Sequence, residues 1–88
     1  MEEYRIALVG IIVEDADVVE KLNRLLHEYG QYIIGRMGIP CPDKGISIIS
    51  VVMDAPKTVV SALSGKLGML RGVSVKTVMQ KAGSHGTA

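Results

Sequence analysis

The 88-residue sequence predicts one α+β domain, an antiparallel four-stranded sheet with two helices on one face. Three observations predict it. Apolar, β-branched runs alternate with segments of helical periodicity. The elements follow one another as strand, helix, strand, strand, helix, strand. The second half of the chain repeats the pattern of the first, and a chain this short has room for a single core.

The first strand is the run YRIALVGIIV, residues 4 to 13, apolar almost without interruption as a central strand should be. Glu14-Asp15-Ala16-Asp17 breaks it. A carboxylate of Asp15 or Asp17 suits the free N–H groups and positive dipole of a helix start. Val18, Leu22, Leu25, Leu26 and Tyr29 then form one apolar helical stripe, with Glu20, Lys21, Asn23, Arg24, His27 and Glu28 on the other face. Gly30 is expected to end this helix in a left-handed cap.

QYIIGRMGI, residues 31 to 39, reads as a second strand interrupted by Gly35 and Gly38. Residues 40 to 45, PCPDKG, are a turn by composition, with Cys41 a turn residue. ISIISVVM, residues 46 to 53, is the third strand. Asp54-Ala55-Pro56 predicts a helix start, because a proline there loses no needed N–H. Val59, Leu63, Leu67 and Leu70 carry the second helical stripe, and Gly72 stops it. VSVKTVM, residues 73 to 79, alternates as the fourth strand. The domain is thus expected over residues 1–80, with a flexible tail, KAGSHGTA, over 81–88.

The halves align internally. Val18-Val19, Leu22 and Leu26 correspond to Val59-Val60, Leu63 and Leu67 at a constant offset. Strand–helix–strand twice, joined by a hairpin, is the ferredoxin-like βαββαβ arrangement. Right-handed crossovers then place both helices on one face of a sheet ordered 4-1-3-2.

Composition narrows the function classes. Ten basic residues balance nine acidic ones for a net charge of +1, which gives no support to a nucleic-acid or anionic-membrane surface. Tyr4, Tyr29 and Tyr32 are the only aromatic residues, too few to stack bases across a sheet as RNA-binding sheets do. The single Cys41 leaves no intramolecular disulfide, no apolar run reaches membrane-spanning length, and the acidic start MEEY is unlike a secretory signal. A cytoplasmic protein without direct nucleic-acid or membrane contact is expected.

Two helices can cover one face of four strands, yet the first and third strands are apolar on both faces. Ile6, Leu8 and Ile12 oppose Ala7, Val9, Ile11 and Val13; Ile46, Ile48 and Val52 oppose Ile49, Val51 and Met53. A monomer would expose a broad apolar face, so a homo-oligomer is expected. Its candidate interface residues are Ile11, Val13, Ile49 and Val51 on the sheet, with Gly65 and Gly68 on the second helix. Those glycines belong to a stripe of small residues, Ser61, Gly65, Gly68 and Gly72, that suits either the close approach of another backbone or a loosely wound helix end.

The topology also gathers polar residues at one end: Glu14, Asp15, Asp17, Arg36, Cys41, Asp43, Lys44 and Arg71. Of these, Glu14, Asp15, Asp17, Arg36, Lys44 and Arg71 are the candidate ligand-binding residues for a small polar molecule. Capping and turn roles in water explain the same residues more simply, because loops are normally polar. His27, Cys41 and His85 have no metal-ligand spacing, so no metal or cofactor is expected. No nucleophile–base pair or paired carboxylates emerge, so no catalytic residues are assigned and the chain is expected not to be an enzyme.

The stretches ALVGIIVED, VVEKLNRLLHEYGQYIIGRMGIP, ISIISVVMDAP and LSGKLGMLRGVSVKT together resemble the small bacterial family of iron-only hydrogenase system regulators. The resemblance runs from Ile6 to Val78. It groups the chain with ACT-like domains and with the ligand-sensing domain of the nickel-responsive repressor. It implies a ferredoxin-like, ACT-like sandwich, homo-oligomerisation, and a regulatory role in hydrogenase maturation or expression. The histidine and cysteine set of the nickel sensor has no match here, and Glu14-Asp15-Ala16-Asp17 stands where amino-acid-binding ACT domains often carry Pro-Gly. No DNA-binding segment is recognised ahead of the domain, so any transcriptional role is expected to need a partner. The expected function is regulation through a small ligand or a partner protein, with a ligand-free assembly module as the alternative.

Overall fold

A computed structural model describes residues 3–81 of the chain. The elements are β1 (Tyr4–Val13), α1 (Val19–Glu28), β2 (Ile33–Cys41), β3 (Ile46–Pro56), α2 (Lys57–Gly68) and β4 (Val73–Met79). Short 3-10 turns at Ala16–Val18, Gly30–Tyr32 and Pro42–Lys44 join them. The strands form one antiparallel sheet ordered β2-β3-β1-β4, which reads 4-1-3-2 from the β4 edge. The first and last strands fall where apolar alternation puts them. The tail expected over 81–88 lies, from residue 82 on, outside the described residues.

Four local expectations change. α2 ends at Gly68 with Met69 as its C-cap, so Leu70 lies beyond the helix and the stop comes before Gly72. β3 runs on through Asp54, Ala55 and Pro56, because these pair with Ile6, Arg5 and Tyr4 of β1. The ladder outweighs the local helix-start signal, and Pro56, extended at φ −61° and ψ 149°, becomes the N-cap of α2. Gly30 has no left-handed conformation; Tyr29 caps α1, and Gly30 opens a 3-10 turn that delays β2 to Ile33. Cys41 is the last residue of β2, paired with Ile46, rather than a turn residue. Left-handed backbone occurs instead at Gly45, in the β2–β3 hairpin, and at Gly72.

The core lies between the sheet and the helices. Ala7, Val9, Ile11 and Val13 of β1 and Ile49, Val51, Met53 and Ala55 of β3 meet Leu22 and Leu26 of α1 and Val60, Leu63 and Leu67 of α2. This is the period-2 face of two central strands against the period-3.6 stripes of two helices. Lys66 of α2 places its ammonium 5.2 Å from the centre of the Tyr29 ring, which ties the helices together at their outer surface.

This packing corrects the expected oligomer interface. Ile11, Val13, Ile49 and Val51 are buried under the protein's own helices and cannot meet a second chain. Gly65 and Gly68 are exposed, with nothing within 4 Å of where a Cβ would stand, so no backbone within the chain approaches them.

Candidate functional site

The opposite face of the sheet is the larger candidate. Ile6, Leu8 and Ile12 of β1, Met37 and Ile39 of β2 and Val78 of β4 are all exposed large apolar residues. The pairing register places them together, since Leu8 is opposite Val52 and Val78, while Ile12 is opposite Ile48, which in turn is opposite Ile39. Among the described residues no helix crosses this side, because both crossover helices pack on the other. A transverse groove of about 290 Å³ crosses it at Gly10, between Ile12, Ile48, Ser74 and Lys76. Gly10 makes the groove by lacking a side chain.

The loop end is the second candidate. Val13, where β1 stops, is opposite both Ser47 and Val73, so the β1–α1 loop, the hairpin and the α2–β4 turn leave the same end of the sheet. The first and third of these are locked together. The Glu14 N–H donates to the Gly72 carbonyl at 2.7 Å. Arg71 Nε donates to Asp15 Oδ2 at 2.9 Å, and the Asp17 N–H donates to Asp15 Oδ1 at 2.9 Å. The Asp17 N–H and then the Arg71 guanidinium hold the Asp15 carboxyl below its usual pKa. Gly72 fits because it is left-handed and because a Cβ there would come within 2.8 Å of the Asp15 Cβ.

The expected cluster therefore forms only in part. Asp15, Asp17, Glu14 and Arg71 come together, with Asp15 and Arg71 paired through their side chains, and Asp17 and Glu14 joined through backbone N–H groups to Asp15 and Gly72. Arg36 lies elsewhere, at mid-strand opposite Val51, where its Nη2 donates to Asn23 Oδ1 of α1 at 2.7 Å. Lys44 and Asp43 stay in the hairpin's 3-10 turn. A depression of about 280 Å³ sits between the β1–α1 loop and the hairpin, lined by Val13, Ala16, Val19, Pro40, Pro42 and Ser47 among others, with no charged side chain in its wall. A second, of about 290 Å³, borders it along α1 and does include Arg36 and Asn23. Among the described residues no three His, Cys, Asp or Glu side chains group to hold a metal ion, and no helix is long and apolar enough to cross a membrane.

The feature that sequence reasoning missed is which sheet face stays open. A partial signal was present in β4: Ser74 and Lys76 share one side of that strand with Val78, and Val73, Val75 and Met79 share the other with Thr77. Register then carries that polarity to β1 and β3.

The comparisons with known proteins agree with this architecture. A family model, TM1266-like, described as "Iron-only hydrogenase system regulator, putative", matches residues 5–77. Among solved structures, the uncharacterized protein TM1266 from Thermotoga maritima is 36% identical, over 90% of this chain and 100% of that one, with a TM-score of 0.86. Among curated proteins none matches.

Proposed function

The chain belongs to the TM1266-like family of iron-only hydrogenase system regulators, and on that premise we propose that it is a non-enzymatic regulatory domain that works as a homo-oligomer. The observation that carries this reading is the uncovered apolar sheet face around Leu8. A contiguous apolar surface of this kind marks an interaction site in a water-soluble domain. The strand order, 4-1-3-2 from the β4 edge, and the helices packed on one side support a ferredoxin-like, ACT-like sandwich. Assembly through the sheet face would leave the loop end, at one end of the strands, free to receive a small ligand or a partner protein.

For ligand sensing, the two adjoining depressions along α1 and β2 are the seat we assign. Arg36 supplies a guanidinium with donors beyond the one given to Asn23, and Val19, Ile39 and Pro40 supply an apolar wall. Glu14, Asp15, Asp17 and Arg71 act beside it as the latch that fixes the β1–α1 loop, with Lys44 on the hairpin. The mutual satisfaction of Asp15 and Arg71 favours a second reading, assembly without a ligand.

Two measurements separate these. Light scattering over a dilution series tests the oligomer, and a monomer throughout sinks the proposal. A thermal-shift screen with amino acids, nucleotides and divalent metals tests sensing, because a ligand of the folded state raises stability with its concentration. Concentration-dependent stabilisation that Arg36→Ala abolishes supports the ligand seat; a flat response across the screen supports assembly alone.

A further inference from the structure

The open sheet face carries two charges, and their positions are related. Among its described strand residues, Lys76 on β4 and Asp54 on β3 are the charged ones. Lys76 is opposite Gly10 and Asp54 is opposite Ile6. Each therefore stands one strand away from β1, on opposite sides, and two residues from Leu8 in opposite directions. Leu8 is their midpoint. From strand spacing and rise they lie roughly 16 Å apart, too far to pair within one chain. Both are exposed, and neither has an ion-pair partner among the described residues.

We infer that the occupant of this face is a second copy of the chain, docked about a two-fold axis that passes over Leu8. Resting on the homo-oligomer reading above, this fixes the register of that oligomer. An isologous interface requires that if one residue meets another, the second copy returns the same contact. An axis lying between the sheets, perpendicular to the line from Lys76 to Asp54, sets Leu8 against Leu8. It also sets Lys76 of each copy against Asp54 of the other. Two reciprocal ion pairs then flank an apolar centre, and neither charge is left buried without a partner, which would oppose docking. The same axis crosses the strands of the two sheets at roughly 70°, toward the orthogonal class of sheet packing.

The size of the face agrees with this occupant. Four strands and a ten-residue β1 present roughly 600 Å² in projection, near the ~800 Å² per partner of a standard stable interface. A small molecule in the Gly10 groove would leave most of Ile6, Leu8, Met37 and Val78 in water. Residues 82–88, AGSHGTA, offer no large apolar side chain to cover them.

Charge reversal tests the register separately from the oligomer. Lys76→Asp and Asp54→Lys are surface changes, and circular dichroism confirms the fold of each. Each variant alone places like charges together twice, so its dimer dissociation constant rises by about tenfold or more in low salt. Mixing the two variants restores both pairs, and a heterodimer forms with wild-type affinity; the double variant in one chain does the same. A wild-type dimer whose affinity ignores both single changes, or variants that do not rescue each other, overturns the register and leaves the oligomer standing. A wild-type protein that is monomeric at every concentration overturns both.

Discussion

Leu8 and Val9 are neighbours on β1, yet Val9 has 0% of its surface exposed and Leu8 has 44%. The same alternation runs along the strand, with Ala7, Ile11 and Val13 buried and Ile6 and Ile12 open. Side-chain chemistry does not separate the two sets, since both are aliphatic. Position relative to the crossovers does: two right-handed strand–helix–strand units must lay both helices on one side. One apolar face becomes the protein's own core and the other stays open, the surface we propose for association. The same residue type is worth stability on the covered side, and on the open side it is the material of the proposed interface.

The largest expected effect tests the covered face. Leu63→Ala removes a fully buried side chain from the helix–sheet contact and should lower unfolding free energy by about 2–5 kcal/mol in a urea titration. Leu8→Ala, measured at a dilution where protomers are separate, should cost under about 1 kcal/mol, because its side chain is already half in water. Comparable losses at the two sites would break the contrast between the faces.

Two glycines sharpen the comparison of packed and unpacked places. Gly72→Ala meets both a left-handed backbone and the Asp15 side chain, and should destabilise by about 1–3 kcal/mol. Gly65→Ala has open space above an exposed helical position and should stabilise by about 0.5–1 kcal/mol. Thermal melts of the two variants moving in the same direction would contradict these environments.

The smallest effect belongs to the loop latch. The folded-state pKa of Asp15 is depressed, so its contribution is present above the ordinary carboxylate pKa and is lost as pH falls through the lower, folded value. Wild type should therefore lose stability on acidification slightly more steeply than Asp15→Asn below about pH 4. Arg71→Gln, which removes a well-solvated partner, should flatten part of the same difference.

Much of this structure was legible in the sequence. β1 and β4 were readable to the residue, because a continuous apolar run stopped by Glu14 and an alternating run opened after Gly72 admit few other placements. The end of β3 was not, since Asp54-Ala55-Pro56 carries a local helix signal that only the pairing with Tyr4–Ile6 overrides. The left-handed cap at Gly30 failed for a similar reason: glycine permits that conformation but does not impose it. Of the site, the existence of a surplus apolar face followed from counting faces and helices. Its identity did not follow from β1 or β3, which are apolar on both sides, and the choice of Ile11, Val13, Ile49 and Val51 fell on the covered one. The pairing of Asp15 with Arg71 was legible as shared placement at one end, whereas Arg36 was displaced because the β2–β3 register sets it opposite Val51.

Sedimentation velocity across a dilution series, on wild type and on Leu8→Asp, tests the central claim most directly. Wild type should sediment as a dimer at high concentration and dissociate on dilution, while Leu8→Asp should remain a folded monomer because two carboxylates would meet at the axis. A wild type that is monomeric throughout, or a Leu8→Asp variant that associates as wild type does, would contradict the assignment of this face to a second copy.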